Sequence, residues 1–172
     1  MNKIIFIDKN IKDLFSEGDI YEIAKNIEGK VYRETANRIT KEFSYKGEDY
    51  FIKYHGGIGW KEIFKNLFKL TLPTIGANRE WKAIKRLNEL NINCPEVAAV
   101  CFRGLNPANS ESFLITKALV NTISLEEALQ QGKYQSLAVS DKREFILKIA
   151  SISRKMHDGG VNHRDYYLCH FH

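Results

Sequence analysis

The residues best suited to chemistry are a lysine inside an aromatic strand, a glutamate on an apolar helix stripe and an aspartate in a loop. Lys53 lies within Tyr50-Phe51-Ile52-Lys53-Tyr54. A strand has a side-chain period of two, so Phe51, Lys53 and His55 share one face and Tyr50, Ile52 and Tyr54 the other. A lysine in that setting is either on a solvated face or aimed into a cleft, where it would hold an anionic group. Glu80 opens a helical pattern in which Trp81, Ala83, Ile84, Leu87 and Leu90 fall on either side of it at about 100° per residue. A carboxylate at the centre of an apolar stripe is costly unless paired. It therefore requires a cation from elsewhere, and Lys53 is the leading candidate. The alternative is that Glu80 sits in a first turn and complements the helix dipole. Asp165 closes the run Asn162-His163-Arg164-Asp165, directly after a helix that Gly159-Gly160 ends.

The elements that must position these groups are legible in outline. Residues 11–27 read as irregular or weakly helical. From Lys30 to His55, the runs Val31-Tyr32, Phe43-Ser44-Tyr45 and Tyr50–Tyr54 predict a three-stranded antiparallel meander, with a tight turn at Lys46-Gly47-Glu48-Asp49. Trp60, Ile63, Phe64, Leu67 and Phe68 then follow a helical period. Asn78 is the expected N-cap of a second helix running to about Leu90. After Pro95, Val97–Phe102 and Ser112–Thr116 read as paired strands around a loop at 104–110. Ser124 with Glu127 is a capping box, and Asp141 with Glu144 repeats that pattern before a longer helix whose stripe is Phe145, Ile149, Ile152 and Met156. The expected fold is α+β: a five-stranded antiparallel sheet lobe with helices, feeding a helical lobe. Its divisions are residues 1–29 as an N-terminal extension, 30–119 as the sheet lobe and 120–172 as the beginning of the helical lobe.

The chain of 172 residues has 26 Lys and Arg against 21 Asp and Glu, a formal charge of +5. That balance suits an anionic partner, whether nucleic acid, acidic membrane surface or phosphorylated ligand. No helix-turn-helix, RNP or zinc pattern supports nucleic acid. Hydrophobic and charged fractions of 44% and 27% exclude disorder and collagen. Cys94, Cys101 and Cys169 are odd in number and include no CxxC, which excludes a disulfide framework or structural zinc and points to a reducing compartment. Ile4–Ile7 is too short for a secretory signal, and no run approaches the about 18 apolar residues of a membrane span.

Lys53, Glu80 and His163-Arg164-Asp165 stand in the chain order of protein kinases. Longer runs are more specific. Gly56-Gly57-Ile58-Gly59-Trp60-Lys61-Glu62-Ile63-Phe64-Lys65-Asn66-Leu67, Leu72-Pro73, Gly76-Ala77-Asn78-Arg79-Glu80-Trp81, Thr122-Ile123-Ser124-Leu125-Glu126 and Cys169-His170-Phe171 resemble the lipopolysaccharide core heptose kinases, from about Lys30 to the last residue. The resemblance implies a protein-kinase-like fold and transfer of the ATP γ-phosphate, with Mg²⁺, to a heptose hydroxyl of the lipid A-core oligosaccharide. It also implies a place at the cytoplasmic face of the inner membrane of a Gram-negative bacterium. On matching positions it implies that Asp165 is the catalytic base, Lys53 the phosphate grip and Glu80 its partner. Lys117, Ala118 and Leu119 become the hinge whose backbone reads adenine.

The sequence departs from the kinase pattern in three places. No G-x-G-x-x-G covers the phosphates; the corresponding turn is near Glu34–Arg38, where Arg33 or Arg38 either supplies charge to them or, the plainer reading, is a solvated surface arginine. His170 stands where kinases carry a metal-binding Asn, leaving it a weak metal candidate with its co-ligand expected beyond residue 172. The sequence given stops before that later aspartate, so it reads as a fragment or a truncated product. The alternative function is accordingly a catalytically impaired kinase-like module that binds nucleotide or the anionic membrane surface. Lys61, Lys65 and Lys69 flank the apolar stripe of the 60–70 helix, which reads either as a peripheral membrane contact or as ordinary packing with solvated lysines. Cys94 and Cys101 read as small buried hydrophobes, and Tyr166 and Tyr167 as loop packing.

Overall fold

A computed structural model describes residues 2–57, 59–60, 76–106, 108–163 and 166–172. The basic helix expected over residues 60–70, with Lys61, Lys65 and Lys69, lies outside the described residues, as do Arg164 and Asp165. Two compact units are present. The first comprises the chain through Lys82 together with Pro95–Ala118, and the second Ala83–Cys94 with Leu119–His172.

Six strands make up the first unit's sheet: β1 (Asn2–Ile7), β2 (Lys30–Thr35), β3 (Arg38–Tyr45), β4 (Glu48–His55), β5 (Val97–Arg103) and β6 (Glu111–Lys117). They pair antiparallel in the order β1-β5-β6-β4-β3-β2. The meander β2-β3-β4 follows the aromatic and β-branched runs, and its second turn places Lys46 and Gly47 at φ 51° and 81°, the left-handed pair of a two-residue hairpin.

Five strands were expected; the sixth is β1, which pairs with the outer side of β5. The apolar run Ile4–Ile7, too short for export, is a strand. Residues 2–29 are therefore part of the sheet unit rather than an extension to it. A 3₁₀ turn (Lys12–Phe15) and helix α1 (Ile20–Asn26) follow β1 and cover one face of the sheet. Ile11, Phe15, Tyr21, Ala24 and Ile27 pack there on Phe43, Tyr50, Ile52, Tyr54, Ala99, Cys101, Phe113 and Ile115. Phe15 stacks on Phe113 at 5.5 Å between ring centroids, and Tyr21 meets the same ring edge-on at 5.6 Å. Burying each such side chain contributes roughly 1.5–3 kcal/mol. Asp19 caps α1 by accepting from the N–H of Tyr21 (2.8 Å) and Glu22 (3.3 Å). Arg103 ties the cover down: its Nε donates to Glu111 at 2.7 Å, its Nη1 reaches Asp19, and its guanidinium lies 4.3 Å from the Tyr21 ring centre. The Tyr54 hydroxyl donates to Glu111 as well.

The other face carries Phe51, Lys53 and His55, with Glu42, Thr40 and Arg38 opposite them on β3 and Thr116, Leu114 and Ser112 opposite them on β6. Helix α2 (Asn78–Glu89) begins against this face. Its capping position is Ala77, one residue before the expected Asn78. The Ala77 carbonyl accepts from Trp81 N at 3.0 Å, and its N–H donates to Ser112 Oγ at 3.0 Å. The buried hydroxyl of Ser112 thus replaces a capping side chain. Gly76 makes the approach possible, since it sits at φ 68° and a Cβ there would lie 2.6 Å from Ser112 Oγ. Trp81 also packs on Phe102, with ring centroids 6.3 Å apart.

The second unit holds the rest of α2, α3 (Leu125–Gln130) and α4 (Val139–Asp158). Residues 83–94, placed in the sheet lobe by sequence, belong here: Ala83, Leu87 and Leu90 pack on the buried cluster Ile92, Met156 and Val161. The Ser124 capping box forms in both directions, at 3.1 and 2.9 Å. Asp141 does not cap α4. The helix starts three residues earlier with Ala138 in the capping position and no side-chain bond, and Asp141 instead complements the dipole from the first turn. The stripe Phe145, Ile149, Ile152 and Met156 is the covered side of α4. A Schellman ending closes it, with Gly160 at φ 78° donating to His157 O and Val161 N donating to Met156 O at 3.0 Å.

Candidate active site

Lys53 Nζ donates to Glu80 Oε1, forming an ion pair between β4 and the first turn of α2. Both readings of Glu80 hold at once: it complements the helix N-terminus and lies on the covered face beside Trp81, Ala83 and Ile84. Each side chain is about one-third exposed (33%), so solvent screens the pair and its contribution to stability is small. Its value is positional. The carboxylate fixes the ammonium on the sheet face, and an ammonium has three N–H donors, leaving others for a ligand.

At the expected hinge, the backbone N–H groups differ in their partners. Lys117 N donates to Glu96 O at 2.9 Å, and Ala118 N donates to Asp49 O at 2.8 Å. The Lys117 ammonium pairs with Glu96 at 3.1 Å. Of the three hinge N–H groups, only that of Leu119 lacks a hydrogen-bond partner among the described residues. The boundary between the two units falls after Ala118.

The loop carrying Asp165 is described on both sides of that residue. Tyr166 is its packing anchor: it shares a 2.7 Å hydrogen bond with Ser153 and meets the rings of Phe171, His157 and His163 at 5.0, 6.1 and 6.2 Å. The His163 and His170 rings lie 5.3 Å apart. His170 is exposed in a 3₁₀ turn (Leu168–His170), with Cys169 Sγ 3.6 Å from its Nδ1. No group of three His, Cys, Asp or Glu side chains stands ready for a metal among the described residues. Mg²⁺ takes oxygen ligands, and an exposed imidazole with no carboxylate grouped around it among the described residues does not by itself fit it.

Sequence reading understated the turn between β2 and β3. The Asn37 backbone carbonyl accepts from Gly56 N at 2.8 Å, and its side-chain amide, in the orientation that pairs both of its ends, donates to Gly57 O at 3.2 Å, so the turn is clipped to the end of β4. A Cβ on Gly57 would lie 2.2 Å from Ala108 O; only glycine admits the 104–110 loop that closely. Arg33 is exposed as expected. Arg38 is half-buried rather than fully solvated: its Nε is buried and unpartnered among the described residues. Directly opposite it, His55 is 7% exposed, with Nε2 also buried and unpartnered. Burial first, then the charges of Arg38 and Lys53 against the opposing pull of Glu80, push the His55 pKa down to about 4. The available signal for His55 was its place two residues beyond Lys53 on one strand face.

The model of the lipopolysaccharide kinase (Kdo/WaaP) family matches residues 23–172. The chain is 41% identical over 160 residues to the lipopolysaccharide core heptose(I) kinase WaaP of Escherichia coli (strain K12), covering 93% of this chain and 58% of that protein. It is 39% identical over 167 residues to the protein of the same name from Pseudomonas aeruginosa, covering 97% and 62%. The chain thus spans about three-fifths of the length of these relatives. A solved structure, WaaP in complex with acyl carrier protein, superimposes with a TM-score of 0.79 at 32% identity, covering 98% of this chain and 62% of that one.

Proposed function

The chain belongs to the lipopolysaccharide kinase (Kdo/WaaP) family, and we propose that it carries the nucleotide-binding sheet and catalytic loop of an ATP-dependent kinase acting on a heptose of the lipopolysaccharide inner core. The observation that carries this reading is the Lys53–Glu80 pair, a fixed ammonium on a sheet face beside a helix N-terminus. In this reading Lys53 holds the α- and β-phosphates while Glu80 keeps its ammonium from swinging into solvent. The Leu119 N–H, with the Lys117 carbonyl, meets the adenine edge. Asp165 accepts the proton of the acceptor hydroxyl as its oxygen bonds to the γ-phosphorus and the bond to the β-phosphate oxygen breaks, releasing ADP. Positioning and electrostatics supply the rate. Mg²⁺ would accompany the nucleotide phosphates.

The acceptor is the lipid A-core oligosaccharide, reached by peripheral contact with the anionic cytoplasmic surface of the inner membrane. The +5 charge suits that surface. No helix among the described residues is long and apolar enough to cross a membrane. Acyl carrier protein, the companion of the related WaaP structure, is a proposed partner, tested by co-elution from size-exclusion chromatography.

The test is phosphotransfer from ATP to a heptose-containing acceptor by the full-length protein, with and without Asp165→Asn. Loss of at least about 10²-fold in kcat supports the assignment. Equal rates remove Asp165 from the mechanism. Nucleotide binding with no transfer by the unaltered protein favours the impaired module instead.

A further inference from the structure

Arg38 and His55 form a second polar feature on the Lys53 face, one with no role in the reading above. They face each other across the β3–β4 ladder at the end nearest the clipped turn. Each buries a ring or guanidinium nitrogen that has no partner among the described residues. An unsatisfied buried polar group costs about 1–3 kcal/mol, and here two such groups lie side by side. An arginine Nε–H is only a donor. The charges that act on the adjoining imidazole are those of Arg38, Lys53 and Glu80, and Glu80 is already paired with Lys53. A metal ion would be repelled by the guanidinium. A neutral polar group would leave its charge uncompensated. An anion satisfies both nitrogens.

We propose that Arg38 and His55 form a phosphoryl-binding site at the β2–β3 turn, holding the nucleotide's terminal phosphate where other kinases use a glycine-rich loop. This rests on the nucleotide reading and adds the residues that replace the missing motif. Thr40 lies opposite Lys53, two residues from Arg38, so the Arg38 and Lys53 backbones are diagonal neighbours about 7–8 Å apart. That spacing lets two cations grip successive phosphates of one chain. Arg38 is half-buried, with its Nε enclosed and awaiting an acceptor. His55 supplies an N–H from a ring that burial holds in one place. The clip of Asn37 to Gly56 and Gly57 fixes the turn without glycine-rich flexibility.

The experiment is calorimetric binding of ATP, inorganic pyrophosphate and adenosine to the full-length protein and to Arg38→Met, Arg38→Lys and His55→Gln, with melting curves for each. The expected result is a loss of about tenfold in ATP affinity for Arg38→Met, the scale of one charge-assisted hydrogen bond. Arg38→Lys should fall between it and the parent, and His55→Gln should lose several-fold. Adenosine affinity should not change, and pyrophosphate should lose as much as ATP. Pyrophosphate binding stronger than that of ATP would assign the site to a free or acceptor phosphate, overturning the nucleotide assignment. Equal losses for ATP and adenosine would mark a structural role, and unchanged ATP affinity in the folded variants would refute the site while leaving the Lys53 reading intact. Absence of ATP binding by the parent protein would overturn both.

Discussion

The two faces of one sheet treat charge in opposite ways. On the face covered by α1, Arg103 is matched by Glu111 and Asp19, Tyr54 donates to Glu111, and Asp19 caps the covering helix. Among the described residues, the Tyr21 hydroxyl alone is left unpartnered there, beneath the Arg103 guanidinium. On the opposite face, among the described residues, Lys53 has one carboxylate, and Arg38 and His55 leave nitrogens unsatisfied. The same strands supply both: Tyr54 points to the sealed side, its neighbours Lys53 and His55 to the other. A fold neutralises its own charges where they hold it together and leaves them incomplete where a ligand completes them.

That contrast is testable by crossing the readouts. Phe113→Ala on the sealed face should cost about 3–5 kcal/mol in chemical denaturation, because Phe113 is fully buried between Phe15 and Tyr21. Lys53→Met on the open face should change stability by less than about 1 kcal/mol while removing nucleotide binding. If the two effects were reversed, the contrast would fail.

His55 adds a pH signature. Its folded pKa near 4 lies below the ordinary 6.5. Between those values the unfolded chain binds a proton that the folded chain refuses, so stability falls as pH drops from 6.5 toward 4, by roughly 3 kcal/mol at most. Arg38 on β3, Lys53 on β4 and Glu80 on α2 all act on this ring, and phosphate binding should oppose the loss. In His55→Gln the acid limb of the stability profile should flatten; an unaltered limb would mean that other groups set it.

Arg103→Met should cost about 1–3 kcal/mol by leaving Glu111 and Asp19 without their cation, and amide exchange should rise across residues 11–27 rather than near Lys53. The smallest effect belongs to the second unit. Ser124→Ala removes the capping box of α3 and should cost about 1 kcal/mol, with no change in nucleotide affinity.

Much of this arrangement is legible from residue order, but unevenly. Period-two alternation in Tyr50–His55 places Lys53, and the 3.6 period around Glu80 turns that carboxylate toward the sheet; both depend only on local geometry. The Ser124–Glu127 box and the Gly159-Gly160 stop are likewise local. What stays hidden depends on distant partners. β1 has too few residues to distinguish itself until β5 pairs with it. Ala77 caps α2 only because Ser112, 35 residues later, reaches its N–H. Arg38 has the composition of a surface residue, and its burial follows from register with His55 and from the turn clipped beneath it. The α4 start is displaced because an extended Ala138 suffices to begin the helix, and Asp141 serves one turn in.

The most direct measurement is the affinity of the full-length protein for ATP with and without Lys53→Met, alongside their melting temperatures. The account predicts at least a tenfold to hundredfold loss, on the scale of about 1.4–2.7 kcal/mol, with melting nearly unchanged. Equal affinity in the two proteins would contradict it and leave the Lys53–Glu80 pair as a surface ion pair.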